Sequence, residues 1–267
     1  MPSSDLSGLA FVVTGSTSGL GRAIAETLVR ANARAVLICG RSKLRGDKVV
    51  AHLTALNENC KLLFCQGDVS QELDCNNMVQ TAVDEFGTVE GLVNSAAVCF
   101  PRGTLATTDK QLWDDMMATN LTAPFLLSRL VSTHMKEKKI QGSIVNIGSC
   151  CAYGGAPFVM AYSVSKGGLS ILTKNNATEL RPHRIRVNQI NMGWCLTDAE
   201  DKGQREEKGD NWLEEAEANS CMGRLLRPVD TAAAVAFLLS PASTMVTGSI
   251  MDIAPEVING MMPGSQG

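Results

Sequence analysis

The sequence has no block of lysine and arginine, no apolar run of bilayer length, no Cys-x-x-Cys pair and no histidines at zinc spacing. Each absence removes a class of function. With 24 Lys+Arg against 27 Asp+Glu, the formal charge is −3 and the pI lies near 5.7. Such a surface is not built to neutralise many phosphates, so nucleic acid is not an expected partner. The first 13 residues lack a basic segment followed by a long apolar one. Neither secretion nor membrane spanning is expected, and a cytoplasmic location is. Nine cysteines, an odd number at irregular spacing, read as reduced thiols, with no metal site anticipated.

What is present suffices for a sizeable core. The 267 residues are 45% apolar and 19% charged, which fits one domain spanning 1–267. Short apolar runs at 9–13, 35–39, 61–65, 91–93, 143–147, 185–190 and 249–253 alternate with helical stretches. Seven strands that read as unbroken apolar runs imply an α/β fold: a doubly wound, seven-stranded parallel sheet with helices on both faces. One segment departs from the alternation. Residues 198–217 hold nine acids against three bases, which marks an acidic flap over the sheet's carboxyl edge at about 194–224, or else a solvated insertion without a role.

Three glycines, Gly15, Gly19 and Gly21, stand where the first strand meets the first helix. Helix amides and dipole attract a pyrophosphate there. Gly15 permits the sharp turn, Gly19 lets the ligand approach the backbone and Gly21 lets helix and strand pack closely. At the end of the second strand, where an Asp or Glu would take the ribose hydroxyls of NAD, the sequence is Cys39-Gly40-Arg41-Ser42. Arg41 can grip a 2′-phosphate instead, which favours NADP over NAD.

Tyr162 and Lys166 lie four residues apart on a helix that Pro182 ends, and Ser149 closes the fifth strand 13 residues before Tyr162. A phenol with a reference pKa of about 10 is a poor acid or base near neutrality, and a neighbouring ammonium is expected to lower that value. Ser149 is placed to reach a substrate oxygen at the sheet's carboxyl edge.

These motifs, in this order, resemble the short-chain dehydrogenase/reductase family over nearly the whole chain. The resemblance implies a Rossmann fold, with residues 14–21, including Ser16, Ser18 and Leu20, as the cofactor loop. It implies Asp68 and Val69 as the adenine contact, Asn94 within a fourth-strand motif, and Gly193 and Thr197 at the nicotinamide end. It implies that Ser149 polarises a carbonyl or carbinol oxygen, that Tyr162 exchanges a proton with it, and that Lys166 holds the nicotinamide ribose. Asn120 would anchor a water on the proton path. Two positions depart from the pattern: Ala97 and Met192 stand where glycine and proline are usual. The extra methyl of Ala97 is expected to tighten the backbone, and the loss of proline to loosen the root of the flap.

The expected function is therefore hydride transfer between NADP(H) and a ketone or secondary alcohol by a homodimer or homotetramer. The alternatives are an NAD-dependent sugar or polyol dehydrogenase and a non-catalytic dinucleotide sensor. Cys150 and Cys151 read as small hydrophobes near the pocket, with no cationic neighbour in sequence to activate them and no vicinal disulfide expected. Trp194 is a candidate roof for the nicotinamide pocket. Trp113, Trp212 and the three histidines carry no assignment, and Lys136, Lys138 and Lys139 read as a solvated helix end rather than a dock for an acidic carrier.

Overall fold

The computed structural model describes residues 5–256. Its seven strands are β1 (Ala10–Val13), β2 (Ala35–Gly40), β3 (Lys61–Gln66), β4 (Gly91–Asn94), β5 (Ser143–Ser149), β6 (Arg186–Met192) and β7 (Ile250–Ile253). They form one all-parallel sheet in the order β3-β2-β1-β4-β5-β6-β7. Each apolar run anticipated from the sequence is a strand, within a residue or two at its ends.

Alternate side chains of the strands feed two cores, as the two-residue strand period requires. Phe11, Val13, Val36, Ile38, Val145 and Ile190 pack against α1 (Gly19–Arg30), α2 (Lys43–Leu56) and α9 (Pro228–Leu239). Val12, Leu37, Leu92, Ile144 and Val187 face α3 (Glu72–Phe86), α5 (Ala123–Glu137) and α6 (Met160–Leu180). With both faces covered, β1 and β2 read as unbroken apolar runs, whereas β6 carries the buried amides Asn188, Gln189 and Asn191 among its apolar residues.

Strand order reverses between β1 and β4, so their carboxyl ends open a crevice. Thr14 ties its two walls together: its hydroxyl donates to the Val93 carbonyl (3.3 Å) and accepts from the amides of Ser95 (3.0 Å) and Ala96 (3.1 Å). The acidic segment folds as two helices, α7 (Asp198–Lys208) and α8 (Trp212–Ala218), separated at Gly209, whose φ of +84° suits glycine. The amide of Leu196 donates to Leu226 and that of Leu226 to Trp194, pinning the exit of β6. Ala97 is exposed, so its methyl crowds nothing; the close approach falls one residue earlier, at Ala96. Among the described residues no helix is long and apolar enough to cross a membrane, and no cluster of His, Cys, Asp or Glu can hold a metal.

Candidate active site

The glycine turn follows from the close approach of β1 and β4. Gly15 adopts φ +63°, and a Cβ there would stand 2.8 Å from the Ala96 backbone. A Cβ at Gly21 would strike the Gly15 carbonyl. Ser16 is buried, and its hydroxyl donates to Val13 (2.6 Å) while accepting from the Cys39 amide (3.0 Å), so it holds the turn's shape. Ser18 is the N-cap of α1, yet its side chain makes no capping bond. Gly19, at φ +51°, has nothing nearer to a would-be Cβ than the Thr197 side chain at 3.7 Å. Leu20 is buried beneath the turn. Open space thus meets the amides at the start of α1, which lack intrahelical partners: a cradle that fits a pyrophosphate.

Further along the carboxyl edge, Arg41 projects with 73% of its side chain exposed, 3.8 Å from the Asp68 carboxylate. Asp68 in turn accepts from the Ser70 amide, and Val69 is buried against α3. No carboxylate stands at the tip of β2. Asn94 points into the sheet: its amide donates to Asn146 (2.8 Å) and Ser128 (3.4 Å), and its own buried carbonyl oxygen has no partner among the described residues. Its geometry joins β4 to β5. Gly193 lies against Glu256 and Ala254, and its amide donates to Ile253; Thr197 caps α7 by accepting from the Glu200 amide (3.2 Å).

Ser149, Tyr162 and Lys166 converge. The Ser149 hydroxyl accepts from the Cys151 amide (3.2 Å) and lies near enough to the Tyr162 phenol to act on its pKa. The Lys166 ammonium lies 5.7 Å from the centre of the Tyr162 ring and donates to the Ile147 carbonyl (2.7 Å). Lys166 is only 2% exposed, and burial pulls its pKa down to about 8. The expected lowering of the phenol is not what the surroundings produce. Burial, followed by the nearby Cys99 thiol, pushes Tyr162 well above the ordinary phenol value, and the neighbouring Ser149 hydroxyl works the other way. Tyr162 therefore holds its proton.

Asn120 sits in a wide π-turn, Ala118–Thr122, between α4 (Lys110–Met117) and α5. Both ends of its amide are taken by the Val98 backbone (2.8 Å each), and its nitrogen also donates to Ser165 (3.1 Å). The side chain thus ties the β4 exit to α6. A water on the proton path would fall to the main chain of the π-turn, a distortion common at functional sites.

The flap docks on the loop after β4 through Arg102, a residue that carried no sequence signal. Arg102, on the loop after β4, pairs with Glu200 (3.2 Å) and Glu207 (3.0 Å) of α7 and stacks on Phe100, 4.9 Å from the ring centre. Gly203 gives α7 room against that same ring. One oxygen of Glu200 also accepts from the Trp194 indole (2.8 Å) and from Gln204 (2.8 Å). Trp212, which the acid-rich sequence leaves unassigned, is 2% exposed, donates to Asp201 and stacks at 5.8 Å on Trp194. Beneath the flap lies a cavity of about 600 Å³ walled by Trp194, Trp212, Leu225, Leu226, Pro255 and Glu256. None of Ser149, Tyr162 and Lys166 lines it, but Glu256 on its wall accepts from the Trp194 amide and lies within electrostatic reach of Cys150 beside Ser149.

Comparison with known proteins agrees with this layout. The profile of the family described as enoyl-(acyl carrier protein) reductase matches residues 15–254. The chain is similar to an uncharacterized oxidoreductase of Methylorubrum extorquens, at 32% identity over 95% of this chain and 99% of that one. It is 30% identical to the NADP-dependent (R)-specific alcohol dehydrogenase of Lentilactobacillus kefiri over 91% of this chain and 94% of the relative. The L-sorbose reductase of Gluconobacter frateurii, solved with NADPH and L-sorbose, superposes with a TM-score of 0.88 at 27% identity, covering 94% of this chain and 97% of that one.

Proposed function

The chain is an oxidoreductase of the short-chain dehydrogenase/reductase family, and from that premise we propose that it interconverts ketones and secondary alcohols, with NADP(H) as redox partner. The observation that carries this reading is the convergence of Ser149, the Tyr162 phenol and the buried Lys166 ammonium, next to an open glycine turn. A bound nicotinamide dinucleotide supplies or accepts the hydride. The amides of the glycine turn would hold its pyrophosphate, Arg41 its 2′-phosphate, and Lys166 and Thr197 its nicotinamide end.

The protein's own share is positional and protic. Ser149 orients the substrate oxygen and Tyr162 Oη, which stays protonated, passes it a proton; the raised phenol is the weaker acid, so the transfer draws on the basicity of the oxygen that receives it. Lys166, still charged near neutrality, and the π-turn at Asn120 return that proton from solvent. The cavity behind Trp194 takes the body of the substrate.

Nicotinamide absorbance with a panel of ketones and alcohols tests the reaction. In the Tyr162→Phe variant turnover falls by about 10²- to 10⁴-fold while NADPH still binds. A variant as active as the parent would remove Tyr162 from the chemistry. For the dinucleotide, Arg41→Ala weakens NADPH binding by about tenfold, the scale of one charge-assisted hydrogen bond, and leaves NADH binding unchanged. Calorimetry with both nucleotides reads this out, and tighter binding of NADH by the parent would reverse the assignment.

A further inference from the structure

Ser149 is followed at once by a turn that runs into two loosely surrounded glycines. The turn spans Cys150–Tyr153, and Gly154 and Gly155 come next at φ +85° and +78°. A Cβ built on either glycine would find no atom within 4 Å, so this end of the turn has room to swing. Its other end belongs to the site, because the Cys151 amide donates to the Ser149 hydroxyl (3.2 Å).

The Tyr153 phenol supplies the missing anchor. It donates to the Asp252 carboxylate on the edge strand β7, 2.8 and 3.0 Å from its two oxygens and 99 positions along the chain. Asp252 is itself braced. Its Oδ1 accepts from Asn191 (3.1 Å), the Asn191 oxygen from Gln189 (2.7 Å), the Gln189 oxygen from Thr173 (3.1 Å), and the Thr173 hydroxyl from Asn146 (2.9 Å). These four partners are fully buried, where a hydrogen bond is costly to break. Asn146 lies on β5 three residues before Ser149, so the row of bonds starts and finishes on the strand that carries the serine. Such a ring holds the turn against Ser149 from both sides.

We propose that Tyr153 and Asp252 are positioning residues: their hydrogen bond holds the turn so that the Cys151 amide keeps the Ser149 hydroxyl aimed at the substrate oxygen. Both act through Ser149. The serine oxygen accepts from the amide and so has its own hydrogen left to donate to the substrate, an aim that is lost if the turn drifts. The effect on turnover rests on the carbonyl reduction proposed above, whereas the effect on the turn does not.

The test pairs kinetics with amide exchange on the whole protein. Tyr153→Phe keeps the partly exposed ring and removes the tie. It is expected to lower kcat by about tenfold, with KM, NADPH affinity and melting temperature unchanged. In a Ser149→Ala background the same change costs nothing more, because the residue through which it acts is gone. Asp252→Asn, which keeps an acceptor for the phenol, retains turnover, whereas Asp252→Ala behaves like Tyr153→Phe. Hydrogen exchange at the Cys151 amide, followed by NMR without substrate, speeds by about tenfold in Tyr153→Phe and stays at the parental rate in Asp252→Asn. Parental exchange at Cys151 in Tyr153→Phe overturns the proposal. So does faster exchange with turnover unaltered, or an equal loss of turnover with and without Ser149. Because exchange is read without substrate, it decides whether the pair holds the turn even if no carbonyl is turned over or Ser149→Ala is too slow to measure.

Discussion

Lys166 illustrates how a single residue trades stability for chemistry. Its ammonium is buried against a carbonyl with no carboxylate paired to it among the described residues, and its pKa of about 8 lies below the ordinary lysine value. Between pH 8 and 10.5 the unfolded chain binds the extra proton and the folded chain does not, so this group makes stability rise with pH across that window. Below pH 8 both states are charged and the burial penalty is fully present, at about 3 kcal/mol. Lys166→Met is therefore expected to abolish turnover yet raise the melting temperature at pH 7, with the gain fading towards pH 10.5. Calorimetric scans at several pH values check this, and a variant less stable than the parent at pH 7 would contradict it. The types and spacing of Ser149, Tyr162 and Lys166 were legible in the sequence because a four-residue interval on a helix fixes a shared face. The upward direction of the Tyr162 pKa was not, because it comes first from burial of the phenol in the folded chain and then from Cys99, which the loop after β4 brings in.

At the scale of elements, β1 and β2 were legible to within a residue or two because burial on both faces writes itself as an uninterrupted apolar run, and the edge strands β3 and β7 because of their short apolar stretches between helical ones. The π-turn at Asn120 was invisible, since it changes a hydrogen-bond register and not a residue pattern. The flap was visible only as an excess of acids. Its docking rests on contacts between residues about 100 positions apart, Arg102 with Glu200 and Glu207, that no local pattern announces. Two partly exposed ion pairs and one cation–π contact contribute on the order of 1 kcal/mol each. Arg102→Ala should therefore speed amide hydrogen exchange in α7 by about tenfold or more while leaving α1 and β5 unchanged. Unaltered exchange in α7 would mean that Trp194 and Trp212 hold the flap by themselves.

On the scale of the whole molecule, α5 and α6 cover one face of the sheet but leave Phe125, Val164 and Ile171 exposed on their outer surface. Val164 and Ile171 are two helical turns apart and so share a face. Association of two chains through these helices is the arrangement that removes such side chains from water. Sedimentation is expected to show a dimer or tetramer, and the paired change Val164→Glu with Ile171→Glu to shift it to monomer; a parent that sediments as a monomer would refute this. The stacked indoles of Trp194 and Trp212 join the exit of β6 to the second helix of the flap, while Trp113 stands apart on α4. Two coupled chromophores 5.8 Å apart give an exciton signal in circular dichroism that vanishes when they separate. The chain thus carries a built-in optical gauge of whether its roof is seated, readable without any attached dye.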